Sequence, residues 1–344
     1  MSSYNKIGGR YGMHSGSAKF KNLEVTGTTW VQGNALTVNP GNTWYVDGDV
    51  NASGTGNSWD SAFKTIQEGV TAAKADDIVY VAAKKLTDTT GDPTSYAENI
   101  IIPFANAGMA LIGVNRGKTQ GGLPQIKIGG ASTTAMLKIR APGCLIANLC
   151  INGASSTGGG ILLDDDYIAK AAYGTSIVGC FFKNCKTHAT DGTTGGAIMW
   201  SAYGCAGQVL ISDNRFYRCL TDICVINTTK TAPQDVVIEN NHFSNSPAST
   251  DCNIYSGGNG FGGGLMIRNN VFGALPAIGS GSVGLYTLLN ITGTGANGMF
   301  VDNLFGSLGT TSGFGDGKAA ADIADSIWTA RNYTAAGLIV REAT

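Results

Sequence analysis

Charge, histidine and proline are all scarce in this sequence, and each shortage closes off a class of protein. Of 344 residues only 14% are Asp, Glu, Lys or Arg, three are His and eight are Pro, and the formal net charge is -1. Such sparse, balanced charge is unlike the basic face that grips phosphates, so no nucleic-acid partner is expected. No stretch of about 18 consecutive apolar residues occurs, so no membrane span and no membrane partner are expected. The opening MSSYNKIGGRYGMHSGSAKF lacks the apolar heart of a secretory signal, which points to synthesis in a cytoplasm.

Cysteine occurs eight times, but without its usual companions. There is no CxxC pair and no neighbouring histidine pattern, and thiols in a cytosolic chain stay reduced. Cys180 and Cys185, like Cys219 and Cys224, enclose four residues, which brings a metal site into consideration. Aligned on the repeat described next, however, Cys185 and Cys219 share one position, as small apolar residues stacked in successive layers would. No metal and no cofactor are expected.

What is abundant is glycine, at 50 residues, and apolar side chains, at 43%. This is a globular chain with many tight turns and ample core. Its organisation shows in a phrase that recurs: SIVGCFFKNC (176–185), VLISDNRFYRC (209–219), VVIENNHFSNS (236–246), LMIRNNVFGAL (265–275) and MFVDNLFGSL (299–308). Each has alternating apolar residues, a two-residue step that is usually polar, one variable residue and then Phe. Phe182, Phe216, Phe243, Phe272 and Phe305 recur roughly every 30 residues, the period of stacked repeats with loops of unequal length. The alternation before the step and the short run around Phe read as two strands meeting at a corner, which leaves no room for a helix in each repeat.

Asp213-Asn214, Asn240-Asn241, Asn269-Asn270 and Asp302-Asn303 suit such a corner because Asn and Asp tolerate positive φ and bond nearby backbone. If coils stack at about 4.8 Å, an inward amide at each corner bonds the amides above and below. Two ladders are therefore expected: Asn148, Asn214, Asn241, Asn270 and Asn303 in one, and the five phenylalanines in the other. Neither ladder is worth anything to a single coil, which cannot bury its own apolar face.

The stretch WYVDGDVNASGTGNSWDSAFKTIQEGVTAAKADDIVYVAAKKLTDTTGDPTSYAENIIIP, followed by MALIGVNRGKT and MLKIRAPGCLIANLCING, resembles the opening of right-handed parallel β-helix proteins of the pectate-lyase-like superfamily. The resemblance covers about residues 43–308. Read locally, Asp60 or Ser61 caps a helix whose Phe63, Ile66 and Val70 share a face, with Gly69 and Ala72 allowing close approach. That helix would cover the open first coil. Residues 1–42 form an arm in which KFKNLEVTGTTWVQGNALTV alternates enough for two short strands but cannot close a core. The arm resembles strand-turn segments near the N-termini of phage tail-fibre and virion-surface proteins. In residues 311–344, Ile323, Ile327 and Trp328 are spaced for one helical face, predicting a helical tail over the last coil.

Chemistry has few candidates. Asp164-Asp165-Asp166 is a source of paired carboxylates, but adjacent strand residues face opposite ways, which favours a solvated loop. Asp164, Asp166, Asp191 and Asp222 would matter only if they converged in one groove. His242 sits outward beside Phe243 with no acid partner evident in sequence; His14 and His188 fall in loop-like stretches. GVNRGKT (113–119) has three residues between its glycines where a phosphate loop needs four. The outward positions flanking the Phe ladder read Phe181, Arg215, His242, Val271 and Leu304 on one side and Lys183, Tyr217, Ser244, Gly273 and Gly306 on the other. The polysaccharide-cleaving members that this sequence resembles carry acidic residues along an outward face, and no such row is present here. Tyr217 and Trp200 are the outward aromatics that would stack on sugar.

The fold expected is all-β: a right-handed parallel β-helix over 43–310, with a short N-terminal capping helix, an extended N-terminal arm and a short C-terminal helical tail. The function expected is that of a non-enzymatic structural protein on a phage virion surface, as capsid decoration or short spike. Leu23, Val25, Trp30 and Val31 of the arm would attach it to a capsid or tail protein. The resemblance to spikes also implies a homotrimer. Two alternatives stand beside this reading: a polysaccharide lyase or glycoside hydrolase, including a receptor-cleaving tailspike, and an adhesin that binds a surface glycan without cleaving it.

Overall fold

The computed structural model describes residues 28–31, 34–37, 41–85, 94–114, 122–127, 135–153, 159–163, 172–185, 196–200, 206–219, 221–225, 232–244, 253–256, 260–273, 289–291, 297–305, 327–334 and 337–339. Two compact units are present, Met1–Pro40 and Gly41–Thr344. In the first, Thr28–Val31 pairs antiparallel with Asn34–Thr37. Trp30 and Val31 therefore lie on a hairpin strand, while Leu23 and Val25 fall outside the described residues.

The second unit is a right-handed parallel β-helix. Among the described residues three sheets run its length, with ten, ten and seven strands, and strand neighbours in each come from successive coils. The first sheet begins at Thr43–Val46 and ends at Ile327–Ala330. The second runs in parallel from Tyr96–Ala97 to Asn332–Thr334 and gains Gly337–Ile339 as an antiparallel tenth strand, and the third runs from Ile100–Ile102 to Leu289–Ile291. Register is kept residue for residue: Ile177, Ile211, Ile238 and Ile267 stack in the first sheet, and Phe182, Phe216, Phe243 and Phe272 in the second. One long apolar core fills the lumen from Val46 to Ile327.

The phenylalanine ladder forms as the repeat implied. Phe182, Phe216, Phe243 and Phe272 are buried, with successive centroids 4.9, 4.9 and 4.8 Å apart and ring planes within 8–13° of parallel. Phe305 continues the backbone register opposite Phe272; its side chain is outside the described set. At that end Phe272 also meets Phe300 of the first sheet, 6.3 Å away and tilted by 41°.

The corner between first and second sheets separates the two tasks that the sequence assigned jointly to Asn. Its first residue takes positive φ, as at Asn148, Gly179, Asp213, Asn240, Asn269 and Asp302. Its second residue points inward and carries the ladder: Asn214 Nδ2 donates to Asn241 Oδ1, Asn241 Nδ2 to Asn270 Oδ1, Asn270 Nδ2 to Asn303 Oδ1 and Asn303 Nδ2 to Asn332 Oδ1, at 3.0–3.1 Å. Each amide oxygen also accepts the backbone N–H of the preceding coil's ladder residue, starting from Cys180. Asn148 is thus a corner residue and not a rung; the rung in its coil is the buried Leu149. Asn148 supplies the positive φ of its corner.

Two expectations at the ends need correction. The helix α1, Ile66–Ala72, starts one turn later than a cap at Asp60 or Ser61 would place it, and Trp59–Ser61 is a separate 3-10 turn. Thr65 and Glu68 win because they form a reciprocal capping box, and Phe63 is taken up by a bridge to Val46. Glu98 closes the remaining donors, accepting from Ile66 N at 3.0 Å and Gln67 N at 2.9 Å. Gly69 does allow close approach: a Cβ there would lie 2.8 Å from Val46 and 2.9 Å from Val79.

At the other end the described residues of the tail are strands, not a helix. Ile327–Ala330 adds to the first sheet, Asn332–Thr334 to the second, and Gly337–Ile339 turns back antiparallel. Ile327 is buried and Trp328 is 56% exposed, the alternation of a strand. The sequence IWTARNY is one more repeat phrase, with Arg331 at positive φ and Asn332 as the next rung. The corner chemistry overrides the helical spacing of Ile323 and Ile327; Ile323 itself is outside the described residues.

Candidate functional site

A solenoid exposes its outward side chains in columns, so a site on its flank is a set of register-matched residues from successive coils. On the second sheet one column reads Phe181, Arg215, His242, Val271, Leu304 and Tyr333, and its neighbour Lys183, Tyr217, Ser244 and Gly273. Arg215 and Leu304 are exposed, while Phe181, His242, Val271, Tyr217 and Ser244 are half-buried. Lys183, expected outward, is only 6% exposed. Gly306 lies outside the described residues. The Arg218 guanidinium, at the next left-handed corner, sits 5.2 Å from the Tyr217 ring centre.

This is the polar flank among the described columns. His242 neighbours Arg215 in register, not a carboxylate. Burial first, and then the Arg215 charge, hold its pKa below the ordinary 6.5. The neutral imidazole, the guanidinium and the tyrosine suit hydrogen bonding to hydroxyls or to an anion; acid–base catalysis by a carboxylate pair has no partner in this column.

The depressed pKa gives a pH signature. The unfolded chain takes up the His242 proton more readily than the folded one, so the stability from this site is complete above about pH 6.5 and falls as pH drops below it. The melting temperature is expected to decline between about pH 6.5 and 5, and less steeply in His242→Gln. Equal slopes would place the titration elsewhere.

The third sheet presents a different flank. Its outward column runs Ile101, Lys138, Leu162, Met199, Cys224 and Tyr255. Leu162, Met199 and Cys224 are buried there with Ala135, and Tyr255 packs against them.

The acidic candidates do not come together in the described structure. Asp164, Asp166 and Asp191 lie outside the described residues, as do His14, His188 and most of GVNRGKT. Asp222 is 1% exposed, its Oδ2 accepting from Asn253 Nδ2 of the next coil at 2.6 Å. It belongs to an interior polar step, not to a groove. Trp200, expected as an outward aromatic, is wholly buried, with Nε1 donating to Ala206 O at 2.8 Å and its ring meeting Phe261 edge-on. Its side chain faces inward because Met199 takes the outward position.

Two buried or half-buried carboxylates that sequence reading passed over do structural work at the N-terminal cap. Glu98 is described above. Asp77 accepts from Asn42 N at 2.6 Å, Trp44 Nε1 at 2.9 Å and Lys74 N at 2.8 Å. Burial opposes its ionisation, but these donors outweigh it and hold the pKa below the ordinary carboxylate value. The ADD run (75–77) before IVYV was the available signal.

The thiols follow the stacking expectation: Cys185 and Cys219 each sit two residues past a register-matched strand position, Lys183 and Tyr217, and both are buried. Burial pushes the Cys180 and Cys144 thiols up to about 12 and raises Cys219 as well, helped by neighbouring Cys185. Such thiols are poor nucleophiles and poor metal ligands at neutral pH.

No family model and no curated protein matches this chain. Among solved structures, it is similar to a pectin methylesterase from Aspergillus niger, at 13% identity over 85% of each chain with a TM-score of 0.44. Escherichia coli YbhC is similar at 10% identity over 93% of this chain and 89% of its own, with a TM-score of 0.46. The pectate lyase Pel9A is similar at 11% identity over 85% of this chain and 74% of its own, with a TM-score of 0.43. What is shared is the parallel β-helix; the chemistry of this chain has to be read from its own side chains.

Proposed function

We propose that the chain is a non-enzymatic structural protein of a phage particle surface, a decoration or short spike, attached through its N-terminal segment. The observation that carries this reading is the division into a small unit, Met1–Pro40, and a β-helix that holds its own cap and continuous core. A hairpin of two four-residue strands is too small to be stable alone, so its order has to come from something it binds. The outward columns favour the same reading: they present apolar, basic and hydroxyl groups in register rather than converging carboxylates.

The expected result with purified protein is that acidic and neutral polysaccharides remain intact, with or without calcium, when reducing ends and unsaturated products are followed. Cleavage that disappears in Asp164→Ala, Asp166→Ala or Asp191→Ala would overturn this reading and put a lyase or hydrolase in its place. Retention on a glycan column without cleavage, lost in Tyr217→Ala, would instead identify an adhesin using the second-sheet flank.

A further inference from the structure

The reading above gives the cysteines no part beyond filling the core, yet one pair is placed differently from the rest. Of the six cysteines among the described residues, four lie beside other side chain types in the neighbouring coils. Cys224 is register-matched to Met199 and Tyr255, and Cys150 to Gln125 and Phe181. Cys144 falls beside Thr175, and Cys180 beside Asn214, whose amide oxygen accepts the Cys180 N–H.

Cys185 and Cys219 lie beside each other. Lys183 pairs with Tyr217 in the second sheet, Asn184 N extends the register by donating to Tyr217 O at 3.0 Å, and Asn184 and Arg218 both turn the chain with positive φ, at 54° and 51°. The next residue in each coil is the cysteine, and both side chains are wholly buried in the same core. Their thiols point the same way: Cys185 Sγ is 3.7 Å from Lys183 O and Cys219 Sγ is 3.7 Å from Tyr217 O, each the carbonyl two residues back. The Cys219 thiol meets that of Cys185. From the coil on the other side Gly153 presses its backbone on this corner, where a Cβ would lie 2.6 Å from Cys185 Cα, so no side chain enters from there. Matched residues of neighbouring parallel strands are about 4.8 Å apart, inside the roughly 4.4–6.8 Å between Cα atoms that a disulfide spans.

We infer that Cys185 and Cys219 are a disulfide site, a covalent staple between two successive coils that closes when the chain folds in oxidising surroundings. The oxidant is a small-molecule disulfide such as oxidised glutathione. One cysteine thiolate attacks it, forming a mixed disulfide and releasing one glutathione thiolate; the second cysteine thiolate then displaces the other glutathione. The protein thiols lose two protons and two electrons, and the oxidant becomes two glutathione thiols. In the closed coil both sulfurs are out of reach, and burial holds the Cys219 thiol in its unreactive protonated form. The bond therefore forms before the coil closes and is afterwards shielded from reductants. It ties off a loop of about 35 residues, which confines the unfolded chain. The inference does not rest on the proposed function, since both cysteines belong to the β-helix.

The test is to unfold the full chain under reduction, refold it in a mixture of oxidised and reduced glutathione, alkylate the free thiols in denaturant and read the mass without reductant. The expected product has two alkylated thiols fewer than the fully reduced chain and melts at least about 5 °C higher. Both differences should vanish in Cys185→Ser and in Cys219→Ser, while Cys180→Ser and Cys224→Ser keep the link. Cleavage of the linked wild type after Lys and Arg should join peptide 184–186 to peptide 219–230, which gives the answer even if a serine variant fails to fold. A refolded wild type with every thiol alkylated overturns the inference, as does a link between other cysteines, or a linked protein that melts no higher than the reduced one.

Discussion

Phe243→Ala should destabilise the β-helix by about 3–5 kcal/mol, the cost of removing a wholly buried ring and leaving a cavity. Phe243 is the middle of a stack, 4.9 Å from Phe216 and 4.8 Å from Phe272. Both neighbours are held by their own strands in parallel register, so neither can slide along the lumen to refill the space. Thermal and denaturant unfolding of the variant read the effect. Phe181→Ala, a half-buried outward ring in an earlier strand of the same sheet, is the matched comparison and should lose less. An unchanged melting temperature in Phe243→Ala would contradict the ladder.

Asn241→Leu should cost a similar amount for a different reason. The Asn241 amide donates to Ile211 O at 2.9 Å and Asn270 Oδ1 at 3.1 Å, and its oxygen accepts from Asn214 N at 3.0 Å and Asn214 Nδ2 at 3.1 Å. Leucine fits the space but leaves the Asn214 N–H and the Ile211 carbonyl stranded in the core, at about 1–3 kcal/mol for each group. The chain itself places leucine at this corner position, at Leu149, but below Cys180 rather than below an amide. Asn57→Leu is the control: Asn57 is exposed and its amide reaches only Thr55 Oγ1 at 3.3 Å, so its replacement should cost less than about 0.5 kcal/mol. Equal losses at the two sites would mean that the interior amides contribute no more than surface ones.

The fold was legible because its period is written in side chains that physics constrains twice. Phe must be both apolar and in register, and the corner must supply both positive φ and an inward amide. Where one residue type serves two purposes, the reading blurs. Asn148 looks like a rung because Asn is also a good left-handed corner residue, and only register with Gly179 and Asp213 tells the two apart. The tail was misread for a related reason: Ile323, Ile327 and Trp328 satisfy a helical spacing, while TARNY satisfies the corner phrase, and the stacked sheets decide between them. Stacking onto Gly298–Val301 supplies bonds that a lone short helix could not match.

The flanks were less legible than the core. Column membership followed from the alternation around each Phe, so Arg215, His242 and Tyr217 were placed correctly. Two placements did not follow: Lys183 keeps its outward register but is only 6% exposed, and Trp200 belongs to the interior, with Met199 in the outward position of its strand. Asp222 looked like a free acid in sequence, yet sits against Asn253 of the next coil, a contact set by the third sheet's register.

The claim that the N-terminal segment is the attachment device while the β-helix stands alone is tested most directly by deleting Met1 to Asn39 and measuring incorporation into particles. The truncated chain is expected to keep its strand-type circular dichroism and its cooperative melting, because cap, core and both ladders lie within Gly41–Thr344, and to be absent from purified virions. Truncated protein present on virions at full occupancy would contradict the account, as would a truncated chain that fails to fold.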